Sequence, residues 1–298
     1  MMRSFLIISN ISSHHLRRSL LGVVWIIACV GLSACDNTIE PLVEDGGSSY
    51  AIHGFLDMRS ERQVIRVESL RATVLADTEG LTGVEVVTSD LMTGQFNVWS
   101  DSLVTLDDGS DGVLYYADFK PIAGHEYRVQ VGREGEIKAS ATTLVPSSPS
   151  FYIDPTRGDT LNLKQQVYLV NVQDQPKQLT MQYTVIDVGS ESPQTIPISY
   201  GESGSQIQDG WTFDVQLSID RFIVMRILNR DTDEQNVRLR RVSFSLTIES
   251  SEWTNQLTST NLENAHGFFG SVGYYEYFWQ LDEQSLGVMG FLDDQNQN

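Results

Sequence analysis

The stretch LDDGSDGVLYYADF, Leu106 to Phe119, gathers Asp107, Asp108 and Asp111 around two glycines. Loops of this composition hold calcium, a hard cation that takes carboxylate and carbonyl oxygens. The spacing argues against an EF-hand. With Asp107 at the first loop position, Asp111 and Gly112 fall at the fifth and sixth, but Gly109 occupies the third and Asp118 stands where a bidentate glutamate belongs. Beyond the loop Val113, Tyr115, Ala117 and Phe119 alternate with Leu114, Tyr116 and Asp118, so a strand leaves it where an EF-hand has a helix. Asp and Gly also tolerate the positive φ angles of hairpin connections. A β-hairpin turn is the expectation, and a weak, open calcium site at Asp107, Asp108 and Asp111 is the alternative.

A second run with chemistry in it is YYEYFW. Tyr274, Tyr275, Tyr277 and Trp279 offer planar rings of the kind sugar-binding sites use as stacking platforms, while core packing of a terminal strand accounts for them equally well. Catalytic constellations are harder to find. After residue 34 the histidines are His53, His125 and His266, far apart, and no HExxH, GxSxG, phosphate-loop or dinucleotide-binding pattern occurs. His125 shares strand parity with Tyr127 and is expected to be a half-buried packing residue. Among 39 acidic residues some carboxylates must lie close together, but the sequence singles out no glycosidase-like pair.

The elements that position these residues begin after an export signal. Arg17 and Arg18 precede an apolar run from Leu20 to Leu32 that ends in Leu32-Ser33-Ala34-Cys35, a lipobox. The run is shorter than the roughly 20 apolar residues that span a bilayer. Residues 1–34 are therefore expected to be a lipoprotein signal peptide, with Cys35 carrying a diacylglyceryl lipid that anchors the chain to a membrane. Removing residues 1–34 takes away Arg3, Arg17 and Arg18 and no acid, so the formal charge deepens from −19 to about −22. Such an excess repels nucleic acid. With Cys29 removed and Cys35 lipidated, no disulfide forms within the chain, and no cofactor is expected beyond the lipid and the weak calcium alternative.

Residues 35–49 are polar, with Pro41 and a Gly-Gly-Ser-Ser run, and read as a flexible tether. A second interruption, VPSSPSFYIDP from Val145 to Pro155, reads as a domain boundary. Between the two, period-2 alternation recurs at Tyr50–Leu56, Gln63–Leu70, Gly83–Thr88, Phe96–Leu106, Val113–Phe119, His125–Val131 and Ile137–Leu144. The expected fold class is all-β: an immunoglobulin-like or transthyretin-like sandwich over 50–146, then a second β-rich domain over 150–292 with one or two short helices, and a disordered tail at 293–298. In VRLRRVSFSLTIE the apolar parity slips from Val237 and Leu239 to Val242 and Phe244, which predicts a β-bulge near Arg240 and Arg241. Ser250 or Ser251 is placed to cap a short helix over SEWTNQLTS, with Glu252 in its first turn. IDRFIVMRILNR is apolar on every side and fits helix or buried strand.

The order of these features carries a resemblance. Lipobox Cys35, the IEP at Ile39 to Pro41, the strand YAIHGFLD, the Asp-Gly hairpin, PIAGHEYRVQV, the proline junction and the run Thr260 to Gly273 resemble the Bacteroidota-type cell-envelope lipoproteins known as domain of unknown function 4249. The family's Asn-Ile-x-Asn-Gly-x-Gly-x-Phe-Gly pattern is matched at Asn261, Asn264, Gly267, Phe269 and Gly270, with Ala265 where the pattern has glycine. The resemblance covers nearly the whole mature chain. It implies an outer-membrane lipoprotein, often encoded beside a TonB-dependent receptor, with no established catalytic activity. The expected function is a non-catalytic binding or docking module, accessory to such a receptor in nutrient uptake. An envelope hydrolase acting on glycans or peptides is the alternative.

Overall fold

A computed structural model describes residues 50–69, 83–105, 111–158, 162–187, 192–231, 236–255 and 261–293, all within one unit that runs from Asp45 to Asn298. Cys35, the tether, Asp107, Asp108 and residues 294–298 of the expected tail lie outside the described residues. Of the described residues 61% are in strands and 10% in helices, and the fold is all-β.

In chain order the strands of the first half are β1 (Tyr50–Asp57), β2 (Arg62–Ser69), β3 (Glu85–Asp90), β4 (Phe96–Val98), β5 (Ser100–Thr105), β6 (Asp111–Asp118), β7 (Glu126–Arg133) and β8 (Glu136–Leu144). The second half adds β9 (Ser150–Ile153), β10 (Gln165–Val170), β11 (Lys177–Asp187), β12 (Pro193–Gly201), β13 (Ser205–Ile207), β14 (Gly210–Val215), β15 (Val237–Glu249), β16 (Leu262–Glu263), β17 (Ala265–Trp279) and β18 (Leu292–Asp293). Three helices are interleaved: α1 (Leu217–Ile227), α2 (Ser251–Thr254) and α3 (Glu283–Met289).

A long nine-stranded sheet runs β12-β11-β15-β17-β1-β2-β6-β5, with β18 paired to β15; a five-stranded sheet runs β16-β8-β7-β3-β4 and a four-stranded one β13-β14-β10-β9. Alternation dictates how they pack. On β1 and β2, Ile52, Leu56, Ile65 and Val67 face inward and meet Val129, Val131, Ala139 and Ala141 of the five-stranded sheet in one core. Met181 and Tyr183 on β11 and Phe244 and Leu246 on β15 meet Val167, Leu169 and Phe213 of the four-stranded sheet in the other, closed by Val224 and Met225 of α1 and Met289 of α3.

The long sheet runs through the junction expected between residues 146 and 150, because β17 serves both cores. From Ala265 to Val272 it pairs parallel with β1, and from Val272 to Trp279 antiparallel with β15. Phe269 is buried in the first core and Tyr275 in the second.

Local expectations resolve as follows. Thr184 pairs with Arg241 and Val185 with Leu239, which leaves Arg240 as the extra residue of the expected bulge. β5 and β6 pair antiparallel up to Thr105 and Asp111, and residues 106–110 between them lie outside the described residues. Ser250 caps α2, its hydroxyl accepting from the Trp253 N–H. The ambiguous IDRFIVMRILNR segment is helical: Leu217, Val224 and Met225 of α1 are buried while Ile219, Phe222 and Ile227 stay exposed.

Candidate binding face

Because Ile52 and Leu56 of β1 point into the core, His53, Phe55 and Asp57 point to the outer face of the long sheet. Register then sets their neighbours. Phe55 pairs with Gly270 on one side and Val64 on the other, and Val64 pairs with Tyr116. Gly270 bears no side chain for a reason: a Cβ there would lie 2.9 Å from the backbone nitrogen of Trp253. Its absence lets α2 settle on the sheet, and the Trp253 ring comes to rest 4.4 Å from Phe55 and 5.5 Å from Phe268, whose edge meets His53 at 5.6 Å.

The result is a row of half-exposed rings and one exposed valine, Phe268–Trp253–Phe55–Val64–Tyr116, laid across four strands, about 14 Å long at the usual strand spacing. Charged pairs border it: Arg59 with Asp57, Arg62 with Asp118, and Arg66 with Glu68. The Arg62 guanidinium also lies 5.0 Å from the centre of the Tyr116 ring. Burial lowers the pKa of His53, with Arg66 acting the same way and Glu68 opposing, so this ring presents itself uncharged at neutral pH.

The Asn-rich motif before and within β17 builds this face. The Asn261 side-chain amide donates to the carbonyls of Thr142 and Phe269, both at 2.6 Å, and pins β17 to β8. Asn264 takes a left-handed φ of 53°, a conformation Asn adopts more readily than most residues. Gly267, at φ 101°, brings its backbone so close to β1 that a Cβ would stand 2.2 Å from the Ile52 carbonyl oxygen. The part of the sequence that most specifically carries the resemblance thus holds β17 against β1.

Tyr274–Trp279, for which the sequence leaves stacking platform and core packing both open, lies on β17 where it joins the second core. Odd-numbered positions of β17 face inward, so Tyr275, Tyr277 and Trp279 form a seam against the proline junction. The Tyr275 hydroxyl donates to the Pro146 carbonyl, and that of Tyr277 to Pro149 at 2.8 Å. Phe151 stacks on Tyr277 at 4.5 Å with the planes 6° apart, which occupies the face a sugar would use. Trp279 donates its indole N–H to Gln165 at 3.2 Å. Tyr274, of even parity, is half-buried on the outer side. Among the described residues no group of three or more His, Cys, Asp or Glu side chains is arranged to hold a metal ion.

Two buried aspartates escaped the sequence reading. Asp90 accepts from His125 Nδ1 at 2.8 Å and from the backbone N–H groups of Met92 and Thr93 at 2.9 and 3.2 Å, closing the turn from β3 to β4. Burial alone would raise this carboxyl; the hydrogen bonds from His125, Met92 and Thr93 outweigh it and bring the pKa down to about 2. His125 is thus a turn clamp as well as the packing residue that strand parity suggested. Asp220, on the first turn of α1, accepts from the Tyr183 hydroxyl at 2.5 Å and the Tyr200 hydroxyl at 2.8 Å, and the Tyr200 oxygen accepts the Gln216 N–H at 2.9 Å. Here burial prevails over the two phenol hydrogen bonds and the pKa is pushed up to about 6. Local sequence carries little sign of either site, since the donors to Asp220 stand 37 and 20 residues away.

No protein-family model matches the sequence, and no curated protein matches it. Among solved structures, pullulanase from Anoxybacillus sp. LM18-11 aligns over 66% of this chain and 24% of its own at 10% identity, with a TM-score of 0.22. Bovine butyrophilin aligns over 78% of this chain and 99% of its own at 12% identity, also with a TM-score of 0.22. This chain therefore spans about a quarter of the pullulanase. At such TM-scores the likeness bears on neither fold nor function.

Proposed function

We propose that the protein is a lipid-anchored, non-catalytic binding module of the outer membrane, accessory to a TonB-dependent receptor, which holds a neutral glycan on the outer face of its long sheet. The observation that supports ligand binding is the row Phe268–Trp253–Phe55–Val64–Tyr116 with its charged borders. Aromatic faces carry the negative side of the ring quadrupole, which attracts the C–H groups that line a pyranose ring. The flanking guanidinium and carboxylate groups supply donors and acceptors for sugar hydroxyls. A flat sheet presents these rings as a track about as long as a short oligosaccharide. The formal charge of −19 opposes an acidic polymer and leaves a neutral one.

Anchoring rests on the lipobox at Cys35, and association with a receptor on the resemblance alone. The hydrolase alternative would need a base free to act. Asp90 and Asp220 are instead committed to a turn and to a helix anchor, and His125 Nδ1 to Asp90.

Affinity electrophoresis through gels cast with soluble glucans, mannans or xylans tests the glycan reading. At least one should retard the protein, and Phe55→Ala combined with Trp253→Ala should abolish the retardation. Retardation by none, or retention by the double variant, would sink it. Separately, Cys35→Ser should move the protein to the soluble fraction; a variant still sedimenting with membranes after a high-salt wash would remove the anchor from the proposal.

A further inference from the structure

The bulge in β15 changes what the surface presents. Leu239 and Val242 both face the core, at 6% and 1% exposure. In an unbroken strand, residues three apart point to opposite faces. The extra residue resolves the conflict by sending both Arg240 and Arg241 outward, side by side. Two clefts adjoin at this point and both arginines line each of them. One is walled by Trp279, Leu281 and Leu286, the other by Thr184 and Pro193. The Arg241 guanidinium lies 4.7 Å from the centre of the Phe278 ring, which orients its fork.

Neither arginine belongs to an ion pair among the described residues, although the chain has 39 acidic residues for 20 basic ones. Two adjacent like charges repel until an anion lies between them. A guanidinium pair is matched by a planar oxyanion that accepts from both forks. The two clefts differ in room: the one beside Thr184 and Pro193 offers about 330 Å³, enough for an organic body behind that charge, against about 60 Å³ beside Leu281 and Leu286. We infer that the β15 bulge builds a binding site for an organic carboxylate, with its oxygens between Arg240 and Arg241 and its body in the cleft beside Pro193. The site is separate from the ring row and stands or falls without it.

Benzoate is a suitable probe, titrated calorimetrically into the detergent-solubilised full chain, with inorganic phosphate and benzyl alcohol run in parallel. Benzoate should bind, and Arg240→Gln and Arg241→Gln should each weaken it by about tenfold or more. Arg241→Lys, which keeps the charge but loses the fork, should weaken it as well. Arg226→Gln on α1, the removal of another exposed arginine, should leave it unchanged. The site is refuted if benzoate does not bind at millimolar concentration, if either glutamine variant binds as the parent does, or if Arg226→Gln weakens binding as much as they do. Phosphate binding more tightly than benzoate would overturn the carboxylate assignment, and benzyl alcohol binding equally well would overturn the role of charge.

Discussion

Asp90 and Asp220 each present almost no surface, at 2% and 1% exposure, one in each half of the molecule, and yet their carboxyl groups move in opposite directions. Burial raises both. The donors differ and so does the depth: Asp90 sits in a turn just beneath the surface and receives two backbone N–H groups and an imidazole, whereas Asp220 lies deep in the core and receives two phenol hydroxyls. Whether a buried acid is charged is decided by the balance of the two: at Asp90 the donors outweigh a shallow burial, and at Asp220 a deep burial outweighs the donors. The signs follow. Asp90, with its folded pKa depressed to about 2, contributes stability that is present above the ordinary aspartate pKa and is lost as the pH falls through 2. Asp220, with its folded pKa raised to about 6, contributes stability that is complete below the ordinary value and is lost as the pH rises through 6.

The strongest way to break this contrast is Asp90→Ala. It strands three donors inside the turn, and a loss of about 3–5 kcal/mol is expected at pH 7 by urea denaturation. A loss below about 1 kcal/mol would mean that the turn does not depend on its carboxylate.

Asp220→Asn should act with the opposite sign. An asparagine gives the two phenols a neutral partner, so the variant should be more stable than the parent at pH 8 by about 2–3 kcal/mol, at 1.36 kcal/mol per pKa unit, and equal to it or weaker at pH 4. The measurement is the parent's fall in stability between pH 4 and 6, which should vanish in the variant. A parallel fall in both would assign the slope to other groups.

The aspartates of the β5–β6 connection give the small end of the scale. If they only shape a turn, calcium leaves the melting temperature unchanged. A site with a Kd of ~1 mM would instead add about 1.4 kcal/mol at ten times that concentration, and Asp111→Asn would abolish the gain. No gain is expected.

How much of this was legible in sequence depends on how local each determinant is. The bulge was readable because the parity slip from Leu239 to Val242 lies within one strand, and the α2 cap because Ser250 and Trp253 are three residues apart. α1 was not readable, since apolar residues on all sides remove the periodicity that separates helix from buried strand. The ring row was invisible: Trp253 meets both Phe55 and Phe268 only after β1 and β17 pair across some two hundred residues of chain. The consecutive rings of Tyr274–Trp279 are plain in the sequence, but inward parity commits three of them to the seam.

The change of partner along β17 has a temporal consequence. β17 begins at Ala265, and neither half of the long sheet is complete without it: β1 waits for residues 265–272 and β15 for residues 272–279. A chain translated from its N-terminus therefore cannot finish its first sandwich until residues 265–272 have been made. Such distant pairing carries a loop-closure cost and folds slowly. For the exported lipoprotein proposed above this delay would be an advantage, because a chain that cannot close prematurely stays threadable until its last long strand has crossed.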